Sequence, residues 1–550
     1  MKRINWVLVL IVLLGFFLRT WKLGSNPPGL YWDEVSLGWN AYSVLKTGMD
    51  EHGRFLPIDT FFAFGDYKPP LYIYAVVPSI WLFGLNEFAV RLPSALAGTL
   101  LIVVAYFLAD LLRPGLAAAR PGLYRLLVAF LVAISPWSIT LSRVGFESNL
   151  AVLFNALGFL FFLYAVYRSA KWLPFSVLSF VLAAYTFNAN RVLSPLFLVV
   201  FSLVYYKKVV KEWKWWMAGG ILAVVLALPM APHLRSSEGK LRWNEVNIFS
   251  DLQPILTVND RRERAGNNWP ARVWHHRYWE YGKTFLRHYL DHFDLNYLFI
   301  DGDPNPRISV PEIGQLNLIE LPFLAMGIIS LISQIRPIGL IGTREKLVIF
   351  LWLLMAAVPA GMARETPHAL RSASTLPVPQ IIVAIGIISL ISRIGRIRRI
   401  AFFVFCFLFF AFVGYFQLTY WRYYPKEWAG EWLTAYKPLV YYIKQVEEDF
   451  KLIYVTPDLG RPYIYFLFYG DYSPENYIKE AKAGGRTGDA FGFFNVGAFG
   501  KYRFYVPDLN TVSGDDLVVT RADSPPPGFS LIKTIVDVNG HPEFNVIRKQ

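Results

Sequence analysis

Cysteine is almost missing from this chain: of 550 residues only Cys406 carries a thiol, and it lies inside an apolar run. An internal disulfide and a cysteine metal cluster are thereby excluded, and the redox compartment is not readable from cysteine. Charge is scarce as well. Asp, Glu, Lys and Arg supply 17% of the residues against 55% that are hydrophobic, a balance too apolar for a soluble protein of this length. No Gly-rich phosphate loop, nucleophile motif, internal repeat or low-complexity tract occurs, so nothing marks a nucleotide-dependent enzyme or a solenoid. The charges lean basic, to a net +14. They stand in short clusters between apolar runs, as topology signals and anionic-lipid contacts do, and no nucleic-acid partner is expected.

Apolar length is what the chain has. Runs centre near residues 92–112, 123–141, 146–167, 172–188, 192–206, 215–232, 317–335, 346–362, 375–392 and 400–418, several of them shorter than the roughly 20 residues a spanning helix needs. The start, MKRINWVLVLIVLLGFFLRTW, resembles a signal peptide in its basic head and apolar core. No small-residue cleavage site follows, so it reads as a retained first span with Lys2 and Arg3 in the cytoplasm. Basic clusters recur at Arg113–Arg125, Arg168/Lys171, Lys207–Lys214, Arg336–Lys346 and Arg393–Arg399. Placing them all inside makes every second loop external. Lys68–Gly84, KPPLYIYAVVPSIWLFG, is short and interrupted by Pro78, which suits an interfacial or re-entrant helix.

The expectation is a polytopic α-helical membrane protein with about 11 transmembrane helices over 1–419, its N-terminus cytoplasmic. Residues 420–550 are expected as an extracytoplasmic α/β domain, without chemistry of its own, that serves as an accessory or binds acceptor. There AYKPLVYYIKQVEEDF has helical spacing, while KLIYVT, YIYFLFY, RFYVPDL, DLVVT and FSLIKTIVDV look like strands. Two further external segments stand out: 22–91, and the charged, aromatic 233–316, too long for a plain connector.

In the first external segment, YWDEV places Asp33 beside Glu34, hemmed by Tyr31, Trp32 and Trp39. Aromatic surroundings can tune a carboxylate into a usable base. The following VSLGWNAYSVLKTG is expected as an amphipathic helix along the bilayer. Isolated cations recur on the same external face: Lys68, Arg91, Arg143, Arg191 and Arg371. One arginine at a span end usually snorkels to the headgroups, but five against the positive-inside trend suit an anionic lipid phosphate. Asp66, Tyr67, Glu147 and His368 are further polar candidates there.

These residues carry a resemblance. The DE pair Asp33-Glu34, the KPPLY element (Lys68, Pro69, Pro70), the ExxxRLPSAL element (Glu87, Arg91, Leu92, Pro93) and the SP followed by SR (Ser135, Pro136, Ser142, Arg143) resemble, in order and placement, the C-type (GT-C) membrane glycosyltransferases. The group in question holds the protein O-mannosyltransferases and the lipid A aminoarabinose transferases. The resemblance implies a polyprenyl-phosphate-linked sugar donor, a hydroxyl acceptor on protein, lipid or glycan, and an inverting transfer on the outer face of a bacterial or archaeal plasma membrane. It also implies Asp33 as the base and Lys68 on the donor's phosphate. The transfer needs cations where charge accumulates: Lys68 and Arg91 are the first choices, with Arg143, Arg191 and Arg371 behind them, while Glu34 orients Asp33, binds acceptor or pairs with one of the arginines. Some relatives bind a metal through an acid just before the lysine and a loop histidine. Here Asp66 stands two residues before Lys68, so the match is imperfect and a divalent metal stays open, with His233, His275, His276 and His288 as conceivable ligands. A transporter or flippase of lipid-linked glycan is the alternative from another class; it favours midplane charges and related halves.

Overall fold

The structure, a computed structural model, describes residues 5–112, 121–236, 239, 247–332, 343–393, 399–481, 486–488 and 494–550. Lys2 and Arg3, and parts of the basic clusters at 113–125, 336–346 and 393–399, lie outside them. The chain packs as two compact units: 1–19, 96–142 and 147–416 form the first, and 20–95, 143–146 and 417–550 the second.

The first unit is helical. Over its described residues, every stretch expected to cross a membrane coincides with a helix or with helices end to end. Among the described residues four helices are long and apolar enough to cross by themselves: Glu87–Leu111, Glu147–Tyr167, Trp213–Arg235 and Ala373–Leu390. A fifth forms if Pro121–Ile134 and Pro136–Ser142, bent by 55°, count as one. Pro136 explains the bend, since it has no N–H and its ring clashes with the carbonyl four residues back. The carbonyls thus released need donors. Arg19, fully buried, supplies them: its Nη2 donates to Val132 O and its Nη1 to Ala133 O, each at 3.0 Å. The same guanidinium donates to Ser138 Oγ at 2.8 Å, Ser142 Oγ at 3.2 Å and Gly15 O at 3.0 Å.

The second unit joins residues 20–95 to the C-terminal region around one core. Leu30, Val35, Trp39 and Val90 share that core with Leu439, Val455, Ile464 and Phe466. The helix Trp32–Thr47 is buried without a break from Glu34 to Ala41. It is a core helix and not the bilayer-lying amphipathic helix expected, because the helices Pro462–Tyr469 and Pro474–Glu480 pack against it. After it, β1 (Phe61–Ala63) and β2 (Asp66–Lys68) form an antiparallel hairpin. Its two-residue loop, Phe64 (φ 59°) and Gly65 (φ 83°), needs positive φ at both positions, as type I′ turns do. Pro70 then opens the helix Pro70–Phe83, its missing N–H harmless in a first turn.

The C-terminal part contains β3 (Ile453–Val455), a small pair β4 (Arg486–Gly488) and β5 (Phe494–Val496), then β6 (Ala498–Phe499), β7 (Tyr502–Arg503), β8 (Leu517–Arg521), β9 (Phe529–Val536) and β10 (Pro542–Lys549). Six strands make one sheet in the order β6-β7-β3-β8-β10-β9, with β3 parallel to both its neighbours. The helix Tyr436–Val446 matches its expected spacing. YIYFLFY does not: it is the helix Pro462–Tyr469, with Pro462 in its first turn and every residue to Phe468 buried. A run buried on all sides has no period by which to tell helix from strand.

Candidate functional site

Two elements bring the reactive groups together. Asp33 stands in the first turn of the helix Trp32–Thr47, and Lys68 ends β2. Lys68 Nζ donates to Asp33 Oδ1 at 2.8 Å and stands 3.5 Å from Asp66 Oδ2. The Asp33 side chain is 29% exposed and that of Lys68 12%, so the acid faces the surface and the ammonium lies behind it. The hairpin register fixes this reach: Lys68 pairs with Phe61, and Thr60 Oγ1 donates to Lys68 O at 3.0 Å. Tyr67, buried, points to the other face of β2 and meets Phe62 edge-on at 4.1 Å.

Glu34 has the opposite surroundings. It is fully buried; its Oε1 accepts from Arg91 Nε at 2.9 Å and Gly145 N at 2.7 Å, its Oε2 from Arg91 Nη2 at 3.0 Å and Tyr31 N at 3.3 Å. Arg91 spends its remaining donors on Leu23 O at 3.2 Å, Pro27 O at 2.8 Å and Gly29 O. A guanidinium has five N–H groups, and all five are taken. Arg91 thus has no N–H left for the phosphate it was expected to grip, and Glu34 takes one of the roles weighed for it, pairing with an arginine. The pair is a buried clamp that ties the loop 23–31 to the start of the helix Glu87–Leu111. Glu87 at that start accepts from Lys437 Nζ at 2.6 Å and Tyr469 Oη at 3.1 Å.

Arg143 is also fully buried, donating from Nε to Tyr420 Oη at 3.1 Å and from Nη2 to Asn26 O at 2.7 Å, with Trp421 stacked 4.3 Å away. Burial holds its guanidinium below the usual arginine range. Sequence reading missed Arg461, whose guanidinium lies 4.7 Å from the Trp32 ring and 4.6 Å from that of Phe64. The only signal was a GRP turn ahead of an apolar run.

The other candidates belong to the first unit. Arg191 is in the first turn of Asn190–Val204, and Glu147 opens Glu147–Tyr167. Arg371 Nη2 stands 4.0 Å from Glu365 Oε2, and the His368 N–H donates to His292 Nε2 at 3.1 Å. Nearby, Asp303 accepts from Ala369 N at 2.6 Å and Asn305 N at 2.9 Å, and burial pushes its carboxyl up to about 6. A metal does not fit at Asp66, because the Lys68 ammonium occupies the place between the two carboxylates where a cation would sit. Among the described residues no three His, Cys, Asp or Glu stand together as a ligand set.

Residues 9–234 match the family described as dolichyl-phosphate-mannose-protein mannosyltransferase, less than half of the chain. Among solved structures, ArnT from Cupriavidus metallidurans in the apo state is similar with a TM-score of 0.55 and 13% identity, over 99% of this chain and 97% of that one. The chain has the C-type membrane glycosyltransferase fold. ArnT bound to undecaprenyl phosphate is similar with a TM-score of 0.52 and 12% identity, over 98% of each chain. No curated protein matches the chain. The likeness to ArnT thus extends past the family match and takes in the C-terminal sheet.

Proposed function

We propose that the protein is an inverting glycosyltransferase that moves a sugar from a polyprenyl-phosphate-linked donor to a hydroxyl acceptor at the external face of the membrane. The observation that carries this is Asp33, part-exposed and hydrogen-bonded at 2.8 Å to Lys68: a base and a cation side by side. The family description names a lipid-phosphate-linked sugar, and ArnT binds undecaprenyl phosphate; both support the donor class. The eleven-span arrangement with an external C-terminal sheet belongs to the same proposal, and puts Asp33 outside.

In this reading the acceptor oxygen attacks the anomeric carbon while its proton passes to the Asp33 carboxylate. The C1–O bond to the phosphate breaks with its electron pair, leaving a lipid phosphate monoester, acidic enough to depart without a general acid. Inversion follows from the single displacement. As Asp33 takes the proton it loses its charge, and Lys68 turns toward the charge growing on the phosphate. Glu34 and Arg91 are positioning residues that hold the helix start on which Asp33 sits.

Membranes containing the protein, given radiolabelled polyprenyl-phosphate mannose, glucose or aminoarabinose, should consume one label and form a glycosidic product. Counterflow of a lipid-linked sugar in proteoliposomes with no bond formed would replace this reading by transport.

A further inference from the structure

Three helices of the first unit leave an apolar groove of about 270 Å³ between them. Leu173 and Val177 come from Leu173–Thr186, Leu198 and Leu203 from Asn190–Val204, and Trp216 and Gly220 from Trp213–Ala227. Leu203 is exposed, so the groove opens outward and not into the helix bundle. Glycine inside a helix is destabilising relative to alanine, and membrane helices keep it where two backbones approach. At Gly220 no neighbour approaches: an added Cβ would meet nothing within 4 Å. Its missing side chain keeps the groove open.

The groove lies toward one end of its helices, in the first half of two and the second half of the third. At that end the segments 168–172, 205–216 and 344–346 hold eight lysines and arginines against two carboxylates, Glu212 and Glu345. Arg344 lies 5.9 Å from the ring of Tyr205, which ties the last segment to the others. Glu345 is buried and accepts from Tyr167 Oη, so of the two acids Glu212 is the one that faces outward. Lys207, Lys208, Lys211 and Lys214 are all exposed. So are Tyr206, Trp213 and Trp215, side chains of the kind that sit at the level of the lipid headgroups. We infer that the groove binds an anionic phospholipid, one acyl chain lying along Leu203 and Gly220 and the headgroup phosphate held by the lysines of 207–214. Basic pockets between membrane helices take such headgroups, and a lysine ammonium is a compact charge on a flexible stem that can reach them. The excess of cations favours an anionic headgroup over a zwitterionic one. The space kept at Gly220 favours one fixed lipid over the loose shell around any membrane protein. The site owes nothing to Asp33 or Lys68, and its test is separate from that of the transfer.

The test is native mass spectrometry of the full-length protein in detergent, titrated with dioleoylphosphatidylglycerol or with dioleoylphosphatidylcholine. Wild type should hold one phosphatidylglycerol more tightly than phosphatidylcholine by on the order of tenfold or more, since each lysine near a headgroup is worth roughly fivefold. Gly220→Phe fills the groove; it should raise the Kd for phosphatidylglycerol about tenfold or more and melt within a few degrees of wild type. Gly220→Leu carries the test if the phenylalanine variant does not fold. Lys207→Gln, Lys208→Gln, Lys211→Gln and Lys214→Gln together should abolish the preference and leave phosphatidylcholine binding unchanged. Equal affinity for the two lipids in wild type, or phosphatidylglycerol binding unaltered in the Gly220 variants, would make the groove ordinary lipid contact and overturn the inference. So would undecaprenyl phosphate displacing phosphatidylglycerol at a lower concentration than phosphatidylglycerol itself needs, which would give the groove to a polyprenyl chain.

Discussion

The clamp between Glu34 and Arg91 makes a sharp prediction because both side chains are fully buried. Arg91→Met leaves a carboxylate in the core without two of its four donors and frees the carbonyls of Leu23, Pro27 and Gly29. Removing one partner of a buried ion pair costs about 3–5 kcal/mol, whereas replacing both with well-packed neutral groups is close to neutral. At roughly 2–4 °C per kcal/mol for a unit near 200 residues, Arg91→Met should lower the melting temperature on the order of 10 °C. Glu34→Gln should do the same, and the double variant should melt above either single one. Thermal unfolding of the four proteins in one detergent measures this coupling. Should Arg91→Met melt like wild type while losing donor binding, Arg91 belongs to the phosphate and the clamp is wrong.

Lys68→Ala should lower kcat/KM for the donor roughly ten- to hundredfold, the value of a charged hydrogen bond, with Lys68→Arg intermediate; steady-state kinetics at varied donor show it, and an unaltered value removes Lys68 from the site. Arg19→Met strips donors from Val132 O, Ala133 O, Ser138 and Ser142, and should cost about 3 kcal/mol or more, seen as an early melting transition; wild-type stability would deny that Arg19 repairs the break at Pro136. Asp303 titrates near 6, above its unfolded value near 4, so its contribution to stability is present in full at low pH and is lost as pH rises through about 6. The stability of wild type relative to Asp303→Asn should fall by about 3 kcal/mol between pH 4 and pH 7. A difference flat across that range would contradict the burial of a neutral acid.

Much of the helical part was legible because hydrophobic length is a one-dimensional signal. Over the described residues every expected span holds a helix, and the KPP segment holds the short helix foreseen for it. The Asp33 and Lys68 pairing came through motif order, although 35 residues separate the two. The different fates of Asp33 and Glu34 were not legible. Adjacent residues on a helix point about 100° apart, and only the packing of the C-terminal helices against that helix decides which one is buried. Arg461 was hidden for a related reason: its contacts with Trp32 and Phe64 join segments some 400 residues apart, and the run after it shows no period. Nothing in the sequence singles out Arg19; its role appears only once Pro136 is seen to release carbonyls beside it.

The central claim is that Asp33 takes the acceptor's proton, and Asp33→Asn tests it most directly. Asparagine keeps the shape and an oxygen for Lys68 but cannot accept the proton. Turnover in purified protein with saturating donor should fall by roughly 10² to 10⁴, with the melting temperature and undecaprenyl phosphate binding close to wild type. Turnover above about a tenth of wild type would contradict the account.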